Sequence, residues 1–231
     1  MAPKPSLVLL SGIASDEDTW AEQLATLREV AHCLPLIAQG SNVDAMADDV
    51  LRRVPGKFAL AGHSMGGYVA LGVQRRAPGR VSRLALICTS AAPDGGWQRE
   101  GRMATLATLK RDGYEAVITR LLAMVLADGG HPRLLERIEA QLRRAGPERF
   151  AREQRAAMDR PDARPALTGI RVPTLVIGGA ADRIVPPEGS VELAALVSHA
   201  ALVLLDGVGH SAPIEAPERV GALLGEWLER E

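Results

Sequence analysis

Three residues of this chain could together perform nucleophilic catalysis: Ser64, Asp182 and His210. A serine hydroxyl is a weak nucleophile until a base removes its proton, and a neutral imidazole can do so near pH 7. A carboxylate can fix the tautomer of that imidazole and stabilise the imidazolium that forms. This set of side chains predicts acyl transfer through a covalent intermediate on Ser64.

The surroundings of Ser64 favour a nucleophile on a sharp turn. The stretch Phe58–Ala61 is apolar and predicts a buried strand, G-H-S-M-G follows it, and the spacing of apolar residues from Tyr68 predicts a helix. A strand, a tight turn and a helix form the context that the G-x-S-x-G motif requires. The alternative is a glycine-rich turn with an incidental serine, because short motifs also occur by chance.

Asp182 and His210 follow the fifth and sixth predicted strands, at equivalent positions 28 residues apart. The carboxyl ends of parallel strands share one edge of the sheet, so loops that are distant in sequence can meet there. We therefore expect both side chains to converge on Ser64. Taken singly, Asp182 could shape a turn and His210 could bond to backbone, and Asp94 is the reserve acid.

A tetrahedral intermediate needs two backbone donors for its oxyanion. The Met65 N–H lies at the start of the helix after Ser64, where backbone donors are unsatisfied. The Ile13 N–H, in the loop after the first strand, is the expected second donor. His63 precedes Ser64 and is expected to point away from the site.

Alternating strands and helices predict an α/β fold with three layers, α/β/α, around a mostly parallel sheet of about six strands. The predicted strands are Ser6–Leu10, Val30–Ile37, Phe58–His63, Arg83–Cys88, Val172–Gly178 and Ala201–Leu205.

The alternation stops between the fourth and fifth strands, where residues 93–165 predict helices alone. We interpret this segment as a helical lid inserted in a core made of residues 1–92 and 166–231. Four of its residues are candidates for substrate binding: Met103, Leu122, Met124 and Met158. Leu106, Leu109, Leu121 and Leu126 are further wall candidates. Packing among the lid helices would explain these apolar residues equally well.

Composition limits the remaining possibilities. The chain has 231 residues, 47% of them hydrophobic, and a net charge of −1, which gives no electrostatic support for nucleic-acid or membrane-surface binding. Cys33 and Cys88 fall in strands that are not expected to be neighbours, so we predict two buried thiols, no disulfide and a cytoplasmic protein. No metal, dinucleotide or P-loop motif occurs, and no cofactor is expected.

Taken together, these motifs resemble the α/β-hydrolase superfamily over nearly the whole chain. G-H-S-M-G-G is similar to its nucleophile elbow, G-G-A-A-D-R-I-V-P-P to its acid loop, G-V-G-H-S to its histidine loop, and L-L-S-G-I to its oxyanion stretch. The resemblance implies a small bacterial serine hydrolase without a cofactor. Ser11 replaces the usual oxyanion-loop histidine, and the usual N-terminal hairpin is absent, so we expect strand order 2-1-3-4-5-6.

The leading hypothesis is a serine hydrolase that cleaves a carboxylic ester or lactone of a small molecule. A related acyl transferase, thioesterase or perhydrolase would use the same three side chains. A small-molecule-binding protein without turnover, or a partner-binding protein that uses the lid, is the alternative from another class. The oligomeric state is open.

Overall fold

A computed structural model of the protein describes residues 4–127 and 131–230. Six parallel strands form one sheet in the order β2-β1-β3-β4-β5-β6, which confirms the predicted order. The strands are β1 Ser6–Leu10, β2 His32–Leu36, β3 Phe58–His63, β4 Val81–Ile87, β5 Thr174–Gly179 and β6 Ala201–Leu205.

The sheet is covered on both faces, as its continuous apolar strands predict. Because successive side chains of a strand point to opposite faces, Val8 and Leu10 enter one core while Leu7 and Leu9 enter the other. The first core packs under α2 (Val43–Arg53), α3 (Met65–Arg76) and α8 (Pro187–Leu196). The second packs under α1 (Ala21–Leu27) and α10 (Pro217–Glu229).

The helix starts follow local capping chemistry. Asn42 caps α2 by accepting a hydrogen bond from the Ala45 N–H. The Asp16 carboxylate accepts from the Asp18 N–H and begins a 3₁₀ turn, Glu17–Trp20, before α1. In the described part of the chain, no helix is both long enough and apolar enough to cross a membrane.

Between β4 and β5, the described residues form α4 (Gly96–Asp112), α5 (Tyr114–Leu122), α6 (Pro132–Met158) and the short α7 (Arg164–Leu167). The helix α6 is broken at Gly146, which has a φ of 74° and precedes Pro147. A third apolar cluster joins these helices to the loops after β1 and β6. It contains Ala14, Val117, Ile118, Leu126, Ile138, Leu142, Phe150 and Ile214.

Both cysteines are free thiols in strands or strand ends that are not neighbours. Cys88 is buried just beyond β4, as predicted. Cys33 is only half-buried, which corrects the expectation of two buried thiols. The reason is that β2 lies at the edge of the sheet, where a strand has a neighbour on one side only and is less covered than a central strand.

The loops after β5 and β6 both lie at the carboxyl edge of the sheet. The loop after β5 runs directly into α8, and the loop after β6 runs into the short helix α9 (Ala212–Glu215). Both loops lie beside the turn that joins β3 to α3, because β3, β4, β5 and β6 are consecutive in the sheet.

Candidate active site

Ser64 occupies the turn between β3 and α3 with φ 54° and ψ −119°, a conformation that non-glycine residues rarely adopt. The turn is possible only because its neighbours are small. A Cβ on Gly62 would overlap the Gly66 carbonyl, and a Cβ on Gly66 would overlap the Leu10 carbonyl. The Ser64 N–H donates to the Ile87 carbonyl oxygen at 2.9 Å, which fixes the turn against β4.

The structure brings Ser64, Asp182 and His210 into one series of hydrogen bonds. The distance from His210 Nε2 to Ser64 Oγ is 2.8 Å, and the distance from His210 Nδ1 to Asp182 Oδ2 is also 2.8 Å. All three side chains are buried, with Ser64 and His210 bordering a cavity. This geometry permits His210 to accept the hydroxyl proton while Asp182 holds the opposite ring nitrogen.

Asp182 is oriented by its own loop. Its Oδ1 accepts hydrogen bonds from the Ile184 N–H at 2.8 Å and the Val185 N–H at 2.9 Å, which leaves Oδ2 for His210. Asp94, the reserve acid, instead forms a buried ion pair with Arg102 at 2.7 Å and a second with Arg160. Within the described ranges, no group of three or more His, Cys, Asp or Glu side chains is placed to hold a metal ion.

Glu215, which the sequence analysis missed, holds the loop that carries His210. Its two carboxylate oxygens accept from the Gly209 N–H and the Ser211 N–H, each at 3.0 Å. The same carboxylate accepts from the Ala127 N–H at 2.8 Å, so it also ties the loop to the segment after α5. The only sequence signal was an acidic residue five positions after the histidine.

His63 lines the cavity, so the expectation that it points away from the site is wrong. Strand alternation does not extend through Ser64, because the positive φ of that residue ends the pleat. His63 Nε2 lies 2.8 Å from the His210 carbonyl oxygen, and the two ring centroids are 5.2 Å apart. Burial and the neighbouring His210 lower the pKa of His63 to about 4, so its ring is neutral near pH 7.

The loop after β1 borders the cavity at Gly12, Ile13 and Ala14. Gly12 packs so closely that an added Cβ would lie 3.2 Å from the Ser64 Cβ. Within the described chain, neither the Ile13 N–H nor the Met65 N–H donates to another protein group, so both are available to a ligand. Ser11 donates to the Asp16 carbonyl oxygen at 2.8 Å and accepts from Trp20 Nε1 at 3.1 Å. Ser11 therefore ties the start of this loop to Asp16 and Trp20, on the side away from the cavity.

The cavity beside Ser64 has a volume of about 100 Å³ and a mostly apolar wall. Its apolar residues come from the insertion, from α9, from the loops after β1 and β5, and from α3. They are Leu121, Val125, Ile138, Leu142, Phe150, Ile214, Ile13, Ala14, Ile184, Val185 and Tyr68. Its polar wall residues include Thr19, Arg102, Gln141 and Gln154. A small apolar group joined to a polar atom near Ser64 fits this chemistry.

The four predicted substrate-binding residues do not line this cavity. Met103 and Met124 are exposed, at 56% and 38%, while Leu122 and Met158 are partly buried elsewhere. The reason is helical phase, because Leu121 and its neighbour one turn later, Val125, take the inward positions instead. Leu121 belonged to the wider set of predicted wall residues.

A larger cavity of about 220 Å³ lies between α3 and residues 160–170. Ser64, Asp182 and His210 do not border it. Tyr68 borders both cavities and separates them. The Arg160 guanidinium lies 4.2 Å from the centre of the Tyr68 ring, which holds that ring in place. Arg160 forms an ion pair with Asp94, and Arg164 forms one with Asp162.

The sequence matches the model of the alpha/beta hydrolase family over residues 7–223. Among curated relatives, a pimeloyl-[acyl-carrier protein] methyl ester esterase of Aromatoleum aromaticum is 30% identical, and the match covers 96% of this chain and 97% of the relative. The matched region thus includes the strands, the insertion and the positions of Ser64, Asp182 and His210.

Solved structures of hydrolases share the fold of this chain. A thermophilic esterase from Thermogutta terrifontis superimposes with a TM-score of 0.87 at 28% identity, over 97% of this chain and 90% of that one. An enol-lactonase from Burkholderia xenovorans LB400 gives a TM-score of 0.88 at 23% identity, over 99% of this chain and 93% of that one. The second likeness concerns the fold alone.

Proposed function

Since the chain belongs to the alpha/beta hydrolase family, we propose that it is a serine hydrolase that cleaves a carboxylic ester or lactone of a small molecule. The observation that carries this proposal is the series Asp182, His210 and Ser64, with both hydrogen bonds at 2.8 Å. The names of a methyl ester esterase and an esterase among the relatives support an ester as the bond that is cleaved.

In the first half of the reaction, Ser64 Oγ attacks the carbonyl carbon of the ester while His210 Nε2 accepts the hydroxyl proton. The carbonyl oxygen becomes an oxyanion and receives hydrogen bonds from the Met65 and Ile13 N–H groups. The intermediate then expels the alkoxide, which takes the proton from His210 and leaves as an alcohol. The product is an acyl ester on Ser64, or a tethered hydroxy-acyl chain when the substrate is a lactone.

In the second half, a water molecule attacks the acyl carbonyl carbon and gives a proton to His210. The same backbone donors stabilise the second oxyanion, and losing one such donor typically costs about 10²–10³ in rate. Collapse of this intermediate releases the carboxylic acid and returns the proton to Ser64. Ser64, His210, the two backbone donors and water supply every bond change and proton transfer in these steps.

The size and lining of the cavity support a compact, largely apolar acyl group. We propose that residues 93–165 act as the lid over a core of residues 1–92 and 166–231, because side chains of the insertion form one side of the apolar wall, opposite side chains of the core. A methyl ester is one candidate substrate, in keeping with the name of the curated relative. The two free thiols support a reducing compartment such as the bacterial cytoplasm.

An acyl transferase, a thioesterase or a perhydrolase would form the same acyl-enzyme and differ in the acceptor or leaving group. A binding protein without turnover would keep the pocket but would not need His210 as a base. Hydrolysis should be lost in His210→Ala, whereas binding need not be.

The test is a series of p-nitrophenyl esters of increasing acyl length, assayed with the wild-type protein and Ser64→Ala. We expect turnover in the wild type, none in the variant, and fluorophosphonate labelling of Ser64 alone. Labelling without turnover would direct the search to another acyl acceptor or a narrower substrate. A wild-type protein that shows neither turnover nor labelling would overturn the hydrolase proposal and favour the binding protein.

A further inference from the structure

We propose that Glu153, a buried glutamate of α6, is a positioning residue that holds the oxyanion loop in its working conformation. The proposal rests on the proposed function, because it concerns the turn that carries the Ile13 donor. Glu153 lies in the insertion, more than a hundred residues from that turn in sequence, and does not line the cavity. It would therefore act on the reaction through the backbone of the loop.

The contact that supports this role is short and shielded from solvent. Glu153 Oε2 accepts a hydrogen bond from the Ala14 N–H at 2.6 Å, and the side chain of Glu153 is only 1% exposed. Ala14 itself is fully buried. A charged acceptor in a buried site forms a strong hydrogen bond with a backbone N–H, so this contact fixes the orientation of the Ile13–Ala14 peptide.

The turn needs such a contact because of its backbone geometry. The Ser15 N–H donates to the Gly12 carbonyl oxygen at 3.3 Å, which makes Ile13 and Ala14 the central residues of a turn. Ala14 has φ 52°, and a positive φ at this position of a turn favours glycine. Rotation of the Ile13–Ala14 peptide would relieve the strain at Ala14, but it would break the bond to Glu153. Glu153 thus opposes the relaxation of the turn.

Arg149 completes the attachment from the same face of α6. Its Nε donates to Glu153 Oε1 at 2.6 Å, and its Nη2 donates to the Ser15 carbonyl oxygen. The guanidinium compensates the buried carboxylate and binds the turn one residue beyond Ala14. The Arg149–Glu153 ion pair therefore binds the Ala14 N–H and the Ser15 carbonyl oxygen, which belong to consecutive residues of the loop that borders Ser64.

A purely structural reading is that the pair only fastens the insertion to the core. The two interpretations predict different effects of a second substitution that removes the strain at Ala14. Glycine adopts a positive φ without strain, so Ala14→Gly should restore the turn when Glu153 is absent. Fastening of the insertion would not be restored by that change.

The experiment uses the double variant Arg149→Met/Glu153→Leu, because replacing both members of a buried ion pair with apolar residues often preserves the fold. We expect Tm close to that of the wild type, a 10- to 100-fold lower kcat on a p-nitrophenyl ester, about the same KM and an equally slower fluorophosphonate reaction. Adding Ala14→Gly should recover at least a quarter of the wild-type kcat. The matched control is Glu139→Leu/Arg143→Met, an exposed i,i+4 pair of α6 that does not contact the loop.

Three outcomes would count against the proposal. Wild-type kcat and labelling rate in Arg149→Met/Glu153→Leu would overturn it while leaving the proposed function intact. A loss of kcat that accompanies a fall in Tm and is not recovered by Ala14→Gly would assign the pair to fastening only. A wild-type protein that neither turns over esters nor reacts with the fluorophosphonate would overturn the proposed function and this inference with it.

Discussion

The Thr89 hydroxyl donates a hydrogen bond to the Ser64 carbonyl oxygen at 2.8 Å and so joins the end of β4 to the nucleophile turn. Thr89 is fully buried, and Gly67 packs so tightly against it that a Cβ there would overlap the Thr89 side chain. The strained backbone of Ser64 is therefore held from the neighbouring strand as well as by its own glycines.

Thr89→Val should weaken this support, because valine keeps the shape of threonine but removes the donor. We expect a loss of about 1–2 kcal/mol in the free energy of unfolding and a several-fold lower kcat. Urea denaturation and ester kinetics measure the two effects. Thr89→Ser retains the hydroxyl and should keep more of the kcat than Thr89→Val, and equal kcat values in these two variants would contradict the role of the hydrogen bond.

Gly66→Ala should disrupt the turn, because the added methyl group would overlap the Leu10 carbonyl oxygen in the neighbouring strand. The clash is with the backbone of β1, a strand with neighbours on both sides in the sheet, so it cannot adjust easily and we expect the free energy of unfolding to fall by at least about 2 kcal/mol. Fluorophosphonate labelling should fall with it. Gly79→Ala is the matched control, since no atom lies within 4 Å of a Cβ at Gly79. A stable and reactive Gly66→Ala protein would contradict the packing described here.

The pKa of His63 predicts a specific loss of stability at acid pH. Its folded value of about 4 lies below its ordinary value of 6.5, so between these pH values the unfolded chain binds a proton that the folded protein excludes. The free energy of unfolding should therefore decline as the pH falls from about 6.5 to about 4, by up to about 3 kcal/mol from this residue.

The measurement is urea denaturation at several pH values for the wild type and His63→Asn. The variant lacks this titrating group, so its stability should decline less steeply over the same pH range. Both proteins keep His210 and Asp182, and the difference between their two curves isolates His63. Parallel curves would show that burial does not shift the pKa of His63 as described.

The cavity wall predicts a change in acyl-chain preference. Leu142→Ala removes a side chain from the wall and should move the preferred p-nitrophenyl ester to a longer acyl chain, at a cost of about 2–5 kcal/mol in stability. Met103 is an exposed residue of α4, so Met103→Ala should leave the preferred acyl-chain length unchanged. A shift in Met103→Ala without one in Leu142→Ala would mean that substrates occupy a different surface.

The strands and the approach of Asp182 and His210 to Ser64 could be predicted because they depend on local patterns and one topological rule. Continuous apolar runs identify buried strands, and parallel strands end at one edge. The expectation for His63 failed because strand alternation stops at the positive φ of Ser64. The burial of Cys33 was overestimated because an edge strand is only partly covered, even where the strand order itself is predicted correctly.

Glu153 and Glu215 could not be predicted, because each acts through a contact with no local pattern. Glu153 bonds to a backbone group 139 residues away, and any of several acidic residues in the insertion could have done so. The inward residues of the insertion were also misjudged, since a shift of one residue in helical phase exchanges Leu121 for Leu122. Such a shift is smaller than the uncertainty of a helix boundary read from sequence.

The break at Gly146 divides α6 into two segments with separate attachments. The segment before it binds the 3₁₀ turn and α1 through Arg137 and Glu22, while the segment after it carries Glu153. Because Pro147 lacks an N–H and Gly146 lies outside helical geometry, the hydrogen-bonded ladder does not run through this point. Each segment of α6 therefore has its own anchor on the core, so a change that breaks one attachment need not break the other.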